Sequence, residues 1–114
     1  MDWAEFIDAC IPEPRTIVVE AYQGAGGYGD LFAAAVQVSQ CVVEDTNRKV
    51  TVQTGDAEGD ERLSSTTVYA PPTAVVPAGS RVTLPTGRTA LVLAVSYLDA
   101  HGQPLPEHWE LSLE

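Results

Sequence analysis

The chain has 114 residues, enough for one domain with a buried core. Sixteen acidic side chains against six basic ones give a formal net charge of -10. Such a surface repels phosphate backbones, so the composition disfavours ordinary nucleic-acid binding, although an acidic wall that does not grip DNA would suit a conduit. No apolar run approaches the ~20 residues of a membrane span, and residues 1–5 lack the basic and apolar regions of a signal peptide. We therefore expect a soluble protein, made in a reducing compartment, whose two cysteines are free thiols.

The first predicted element is a helix over residues 2–10, with Asp2 as its cap and prolines after its end. Its apolar side chains recur at helical spacing and form one stripe, consisting of Trp3, Phe6, Ile7 and Cys10. A helix this short does not persist alone, so the stripe packs either on the domain's own sheet or on a neighbouring subunit. Trp3 is correspondingly a core plug or an interface anchor, and we take Trp3 and Phe6 as candidate interface residues. In this interpretation residues 1–14 form a helical arm and residues 15–114 a β-barrel connector domain.

Three strands are predicted in the first half of the β-domain, over residues 16–22, 33–44 and 48–54. β-Branched residues alternate along the second strand, which places Val36, Val38 and Val42 on one face. The same alternation turns Val50 and Val52 inward in the third strand.

Residues 63–69 form a fourth predicted strand, whose Ser and Thr content indicates an edge or a solvated position. Residues 70–78 contain three prolines. Because proline lacks the backbone donor that a central strand needs, we predict an extended segment there.

The last part of the chain holds three apolar runs, over residues 82–84, 89–98 and 109–113, separated by two Gly/Pro turns. Alternation between such turns predicts a β-meander, with Trp109 in the core. The predicted fold is therefore mainly β: a small antiparallel β-barrel or sandwich of six to seven strands with a short N-terminal helix.

A glycine-rich loop follows the first predicted strand, and its candidate interface or channel residues are Gly24, Gly26, Gly27 and Tyr28. Together with Gly29 they match the pattern of a dinucleotide-binding turn. The context does not, because a valine-rich strand follows and no βαβ unit is visible. We interpret the segment as a flexible or interface-forming loop that needs positive φ.

An acidic loop precedes the fourth predicted strand, and its candidate interface or channel residues are Asp56, Glu58, Asp60 and Glu61. Acids alternate there as in the first half of a calcium loop, but the position of the closing glutamate is Thr67. We expect a solvated hairpin tip, which would concentrate negative charge if several copies formed a ring.

Candidate catalytic and metal-binding residues are few. The residue types of His101, His108, Asp99 and Glu107 are those of metal ligands, so a metal site could be assembled from them. Histidines on a turn and at a strand edge usually face solvent, however. The nucleophile-elbow pattern G-x-S-x-G is absent from the sequence, and both cysteines lie in apolar surroundings that predict buried, inert thiols. We predict no enzyme, no metal and no cofactor.

The order and spacing of turns and strands from residue 16 to 114 resemble the head-to-tail connector proteins of long-tailed bacteriophages, especially the head-closure or stopper proteins of phages with actinobacterial hosts. The segments that carry the resemblance are Tyr28-Gly29-Asp30, residues 44–48, 67–70 and 79–85, Gly87-Arg88 and residues 105–110. The resemblance implies a ring of six or twelve copies in the virion neck, between the portal and adaptor proteins and the tail tube or terminator. Such a ring closes the channel through which genomic DNA passes and docks the tail. The subunit would be made in the cytoplasm of the bacterial host.

Other classes of function stay open at this stage. One is a tail-terminator-like ring or a capsid-decorating protein on a similar barrel, which the copy number per particle would separate from a stopper. A second is a ligand-binding β-barrel or a small enzyme, which would need an apolar pocket with a buried carboxylate. A third is a nucleic-acid binder, which the charge disfavours.

Overall fold

The computed structural model describes residues 2–27, 29–55, 58–103 and 105–114. Within these ranges one helix precedes ten strands: α1 (Trp3–Cys10), β1 (Arg15–Glu20), β2 (Tyr22–Gly26), β3 (Gly29–Phe32), β4 (Val36–Glu44), β5 (Arg48–Thr51), β6 (Glu61–Ser64), β7 (Thr66–Ala70), β8 (Arg81–Thr83), β9 (Thr89–Leu98) and β10 (His108–Leu113).

Six strands form a closed antiparallel barrel in the order β1-β4-β7-β10-β9-β8, and β8 pairs with β1 to close it. The other four strands form two hairpins outside the barrel, β2–β3 and β5–β6. We call these the glycine hairpin and the acidic hairpin. The mainly β prediction with a short N-terminal helix is confirmed, and of the two architectures left open the barrel is correct.

The barrel interior is packed with side chains from all six of its strands, because alternate residues of each strand face the axis. The members of this core are Ile17 and Val19, Cys41, Val68 and Ala70, Val82, Ala90 and Val92, and Leu111 and Leu113. Most of them have almost no exposed surface. The barrel is therefore a filled core.

Strand β4 contains a bulge that reverses which of its side chains face inward. Arg15 pairs with Cys41 and Ile17 with Val38, so β4 has two residues where β1 has one. Gln40, in the bulge, has a φ of 59°. After the bulge, the odd-numbered residues of β4 face the barrel interior: Cys41 is buried in the core, whereas Val42 faces α1. The prediction that Val36, Val38 and Val42 share one face is wrong for this reason.

The Ser- and Thr-rich segment divides between two strands, and the predicted edge or solvated position is correct for Leu63 in β6, which is 59% exposed, but wrong for β7, which is central. The strand is interrupted at Ser65, which separates β6 of the acidic hairpin from β7 of the barrel. Strand β7 lies between β4 and β10, and Thr66 and Thr67 are about 1% exposed. Hydroxyl groups are accommodated because internal acceptors meet most of them, as where Ser64 Oγ donates to the Leu113 carbonyl at 2.7 Å. The proline-rich segment after β7 forms no strand, as predicted.

Helix α1 packs on the chain's own barrel, which settles the alternative left open by the sequence. Asp2 caps it by accepting from the Glu5 amide at 2.8 Å. Trp3 and Ile7 are buried, Phe6 is half-buried, and Trp3 Nε1 donates to the Gln40 carbonyl at 2.7 Å. Trp3 is thus a core plug that caps the unpaired carbonyl of the β4 bulge.

Two single-residue predictions need correction. Cys10 is exposed, because the apolar face of α1 turns away from the barrel at its last residue, while Cys41 is buried as predicted. Trp109 is half-buried at the margin of the core. Its ring stacks beside Tyr97 at 4.7 Å, and its indole nitrogen donates to the Pro72 carbonyl at 3.2 Å.

Candidate functional site

The histidines and acids considered as a metal site are not assembled into one. Within the described ranges no three His, Cys, Asp or Glu side chains lie close enough to hold an ion. His108 is half-buried, with its ring 4.9 Å from Trp3 and 5.7 Å from Tyr69, so its predicted solvent-facing position is wrong. Asp99 accepts from the His101 amide at 2.8 Å and shapes the turn. These groups stabilise the fold locally.

The thiols differ in their chemistry. Burial raises the pKa of Cys41 to about 12, so this thiol stays protonated and unreactive near neutral pH. Cys10 is exposed and joined to no other cysteine.

The glycine segment is a two-stranded hairpin. Gly26 pairs with Gly29 and Ala25 with Asp30. The expected positive φ occurs at Gly24 (101°) and Gly29 (112°), where a side chain would be strained. Gly27 is exposed at the turn, and Tyr28 lies outside the described residues.

The base of the glycine hairpin is fixed to the barrel by Arg81. Its guanidinium donates to Glu20 at 2.6 and 3.1 Å and lies 4.6 Å above the Phe32 ring. Ser80 Oγ accepts from the Tyr22 amide at 3.0 Å. The hairpin therefore projects from a rigid attachment.

Gly79 is where the two hairpins meet the barrel. A methyl group at this position would lie 2.8 Å from Thr54 Cγ2, beyond the acidic hairpin's first strand, and 2.9 Å from Tyr22 Cδ2 of the glycine hairpin. Its φ is 91°. A glycine is required for both reasons.

The acidic hairpin presents its charges to solvent, as predicted for the residues that can be described. Glu58, Asp60 and Glu61 are exposed, and Asp56 lies outside the described residues. Beyond β5, the Gln53 side chain docks on β9 by accepting from the Val95 amide at 2.9 Å and donating to its carbonyl at 3.3 Å.

An open strand edge lies beside a groove of about 480 Å³. Strand β7 pairs with β4 only through Val42, Val43 and Glu44, so residues 36–40 continue past its end. Residues 71–75 form the opposite wall, and none of the described lining residues carries a charge. We call this feature the β4 groove. This groove is not among the features predicted from the sequence. The sequence feature that indicates it is the proline pair directly after β7, because proline cannot continue a paired strand.

A smaller apolar pocket of about 260 Å³ lies under α1, between Trp3, Phe6, Tyr69 and His108. Desolvation, and next the negative charges of Glu44 and Glu110, raise the pKa of the Tyr69 phenol. The hydroxyl therefore stays neutral, and the pocket is the seat of the helix on the barrel.

No protein-family model matches the chain, and neither a curated protein nor a solved structure is detectably similar to it. Within the described residues, no helix combines the length and the apolar character required to cross a membrane.

The structure keeps the candidate interface residues apart. Trp3 is buried in its own chain and Phe6 half-buried beside it. The base of the glycine hairpin, at Tyr22, and the loop that connects β5 to β6 in the acidic hairpin, at Thr54, both lie close to Gly79. The outer surface of the described residues thus carries two hairpins, an exposed acidic segment and an open strand edge.

Proposed function

We propose that the chain is a structural subunit of the neck of a long-tailed bacteriophage, most specifically the head-closure or stopper protein. It forms a ring of six or twelve copies between the portal and adaptor proteins and the tail, closes the DNA channel and docks the tail. The observation that carries this proposal is a filled barrel from which two fixed hairpins project beside an open strand edge. Such an architecture suits assembly through its outer surface.

Two further features support the proposal. The order and spacing of strands and turns over residues 16–114 resemble those of phage connector proteins. The net charge of -10 suits a channel wall past which DNA slides without sticking, because like charges repel. Exposed acids on the acidic hairpin would concentrate that charge around the axis of a ring.

The test is the position and copy number of the protein in purified virus particles. Gold labelling of a tagged copy, or a reconstruction of the neck, should place it between portal and tail in six or twelve copies. Hundreds of copies over the shell would indicate a decoration protein and overturn the proposal. A ring at the end of the tail tube itself would indicate a tail terminator instead.

A binding assay with duplex DNA provides an independent check. At low salt, where protein–DNA contacts are strongest, the purified chain should not be retained by immobilised DNA. Retention that falls with rising salt would contradict the role of a non-gripping wall and favour a nucleic-acid binder.

A further inference from the structure

The β4 groove contains an unsatisfied strand edge. Residues 36–38 pair with β1 on one side, and on the other side no described strand pairs with residues 36–40. Alternate backbone N–H and C=O groups of a strand point to opposite sides. The carbonyl of Gln40 accepts from Trp3, and those of Val38 and Ser39 lie 3.5 and 3.6 Å from the Cys41 thiol. The backbone groups of residues 36–39 that point away from β1 still have no strand partner among the described residues. An extended segment placed there would continue the sheet.

The walls of the groove are apolar and exposed. Val36 is 60% exposed and Val75, on the opposite wall, is 77% exposed. A segment lying between them would bury the exposed parts of both side chains, and removing apolar surface from water favours association. Because the described lining carries no charge, a charged occupant would lose its hydration without gaining a partner. The occupant is therefore an extended, uncharged segment with free backbone edges.

The glycine hairpin has these properties. In the whole of residues 22–32 the only charged residue is Asp30. Among the described residues β2 and β3 pair with no strand except each other, so beyond Tyr22, whose amide donates to Ser80 Oγ, their outer edges are open to a further strand. The acidic hairpin is a poorer occupant, because residues 48–62 carry seven charged side chains that would have to be desolvated.

The hairpin reaches the groove of another copy and not its own. Its base is closed by a hydrogen bond of 2.8 Å from the Ala33 amide to the Ala21 carbonyl and is fixed by Arg81. Ala33 and Ala21 themselves line the groove, whereas no described residue from 22 to 32 does, so the hairpin lies outside the groove of its own chain. A contact between different surfaces of identical chains repeats head to tail and closes into a ring when the rotation allows.

We propose that the glycine hairpin of one copy pairs, as an added strand, with the open β4 edge of the next copy. This contact rests on the proposed ring and names the surfaces that build it. Each chain has a net charge of -10, so copies repel each other. A contact between uncharged surfaces reduces this repulsion, because the charged side chains stay outside it.

The first experiment compares the association of point variants by sedimentation. Val75→Glu places a charge on the groove wall, and Gly27→Glu places one at the hairpin turn, where a side chain meets no atom within 4 Å. Each should weaken self-association at least about tenfold, equivalent to about 1.4 kcal/mol. Leu63→Glu is the matched control, because it adds the same charge at a 59% exposed apolar residue of the acidic hairpin. Equal weakening by the control, or no weakening by the two variants, overturns the contact.

The second experiment identifies the paired surfaces directly, in a Cys10→Ser background because Cys10 is exposed. Chains carrying Gln23→Cys are mixed with chains carrying Val36→Cys and treated with a short thiol crosslinker. The mixture should yield a crosslinked dimer that neither chain yields alone. Rings without this crosslink would overturn the contact while leaving the proposed function intact, and a monomer up to about 1 mM would overturn it as well. A crosslink in a protein that is absent from the virion neck would instead remove the proposed function.

Discussion

Arg81 binds Glu20 through two hydrogen bonds, from Nη2 to Oε2 at 2.6 Å and from Nε to Oε1 at 3.1 Å. The two residues are direct partners across β8 and β1, the pair of strands that closes the barrel. The same guanidinium covers the Phe32 ring at the base of the glycine hairpin. One side chain therefore couples barrel closure to the orientation of the hairpin.

Glu20→Gln should lower the thermal midpoint by a few degrees and accelerate amide exchange in the glycine hairpin, because the bidentate charge-assisted pair is lost. Calorimetry and hydrogen exchange measure the two effects. The control is Glu13→Gln, which removes the same charge from an exposed pair with Arg15 at 3.8 Å and should change neither. Equal effects of both variants would contradict the assigned role of Arg81.

The difference between wild type and Glu20→Gln should depend on pH. The hydrogen bond from Arg81 lowers the pKa of the Glu20 carboxyl in the folded protein. A lowered pKa gives stability that is complete above the carboxyl's ordinary value of 4.5 and disappears as pH falls through the lower folded value. Urea unfolding of both proteins from about pH 7 downward measures this. A difference that persists unchanged in strong acid would contradict it.

Much of the fold can be predicted from local patterns. The Asp2 cap and the helical spacing of Trp3 and Ile7 locate α1, and alternation between Gly/Pro turns locates β8, β9 and β10. These signals work because a helix makes its hydrogen bonds within itself, a meander makes them between consecutive strands, and each element buries one regular face.

The candidate site is less predictable because it depends on interruptions of those patterns. A bulge at Gln40 adds one residue without any residue type that requires it, yet it reverses the facing of β4 and directs a carbonyl to Trp3. The groove exists because β4 extends beyond the end of β7. The length of this overhang depends on how the two strands pair, which their separate sequences do not show. The sequence predicts the glycine segment as a loop that needs positive φ; the positive φ occurs at Gly24 and Gly29, but cross-strand pairing makes the segment a hairpin, which no local residue pattern indicates.

Thr66 and Thr67 should respond in opposite directions to the same substitution. Thr67 Oγ1 is buried without a hydrogen-bond partner among the described residues, so Thr67→Val should raise the free energy of unfolding by about 1 kcal/mol. Thr66 Oγ1 accepts from Arg88 at 2.6 Å and donates to Asp45 at 3.0 Å. Thr66→Val should therefore lower it by about 1.5–3 kcal/mol. Urea unfolding measures both, and a shared sign would refute the assignment.

The two cysteines should differ in reactivity and in their effect at alkaline pH. In the native protein a thiol reagent should modify Cys10 at once and Cys41 only as fast as the chain opens. Because burial raises the pKa of Cys41 from 9.0 to about 12, its contribution to stability is complete below pH 9.0 and declines as pH rises toward 12.

Variants separate this alkaline effect from the titration of other groups. Cys41→Ala should show a smaller loss of unfolding free energy over that pH range than the wild type, whereas Cys10→Ala should follow the wild type. Rapid modification of both thiols in the native state would show that Cys41 is accessible.

Gly79 and Gly87 provide a matched pair for the attachment of the hairpins. Both have positive φ, 91° and 94°, so alanine at either position costs about 1–2 kcal/mol of backbone strain. At Gly79 the added methyl also meets Thr54 and Tyr22, whereas at Gly87 it meets no atom within 4 Å. Gly79→Ala should therefore be the more destabilising and should loosen both hairpins in hydrogen exchange. Indistinguishable variants would mean that Tyr22 of the glycine hairpin and Thr54 of the acidic hairpin's connecting loop do not pack against Gly79.

The two tryptophans test the role of α1 as part of the fold. Trp3 Nε1 donates to Gln40 at 2.7 Å from a ring that is 4% exposed, whereas Trp109 Nε1 donates to Pro72 at 3.2 Å in an exposed bond. Phenylalanine removes the indole donor in each case. Trp3→Phe should cost about 1–3 kcal/mol, because it leaves the part-buried bulge carbonyl without its donor. Trp109→Phe should cost less, because water replaces the lost donor. Denaturant unfolding measures both costs. A larger cost for Trp109→Phe than for Trp3→Phe would mean that the packing of α1 contributes little to the stability of the barrel.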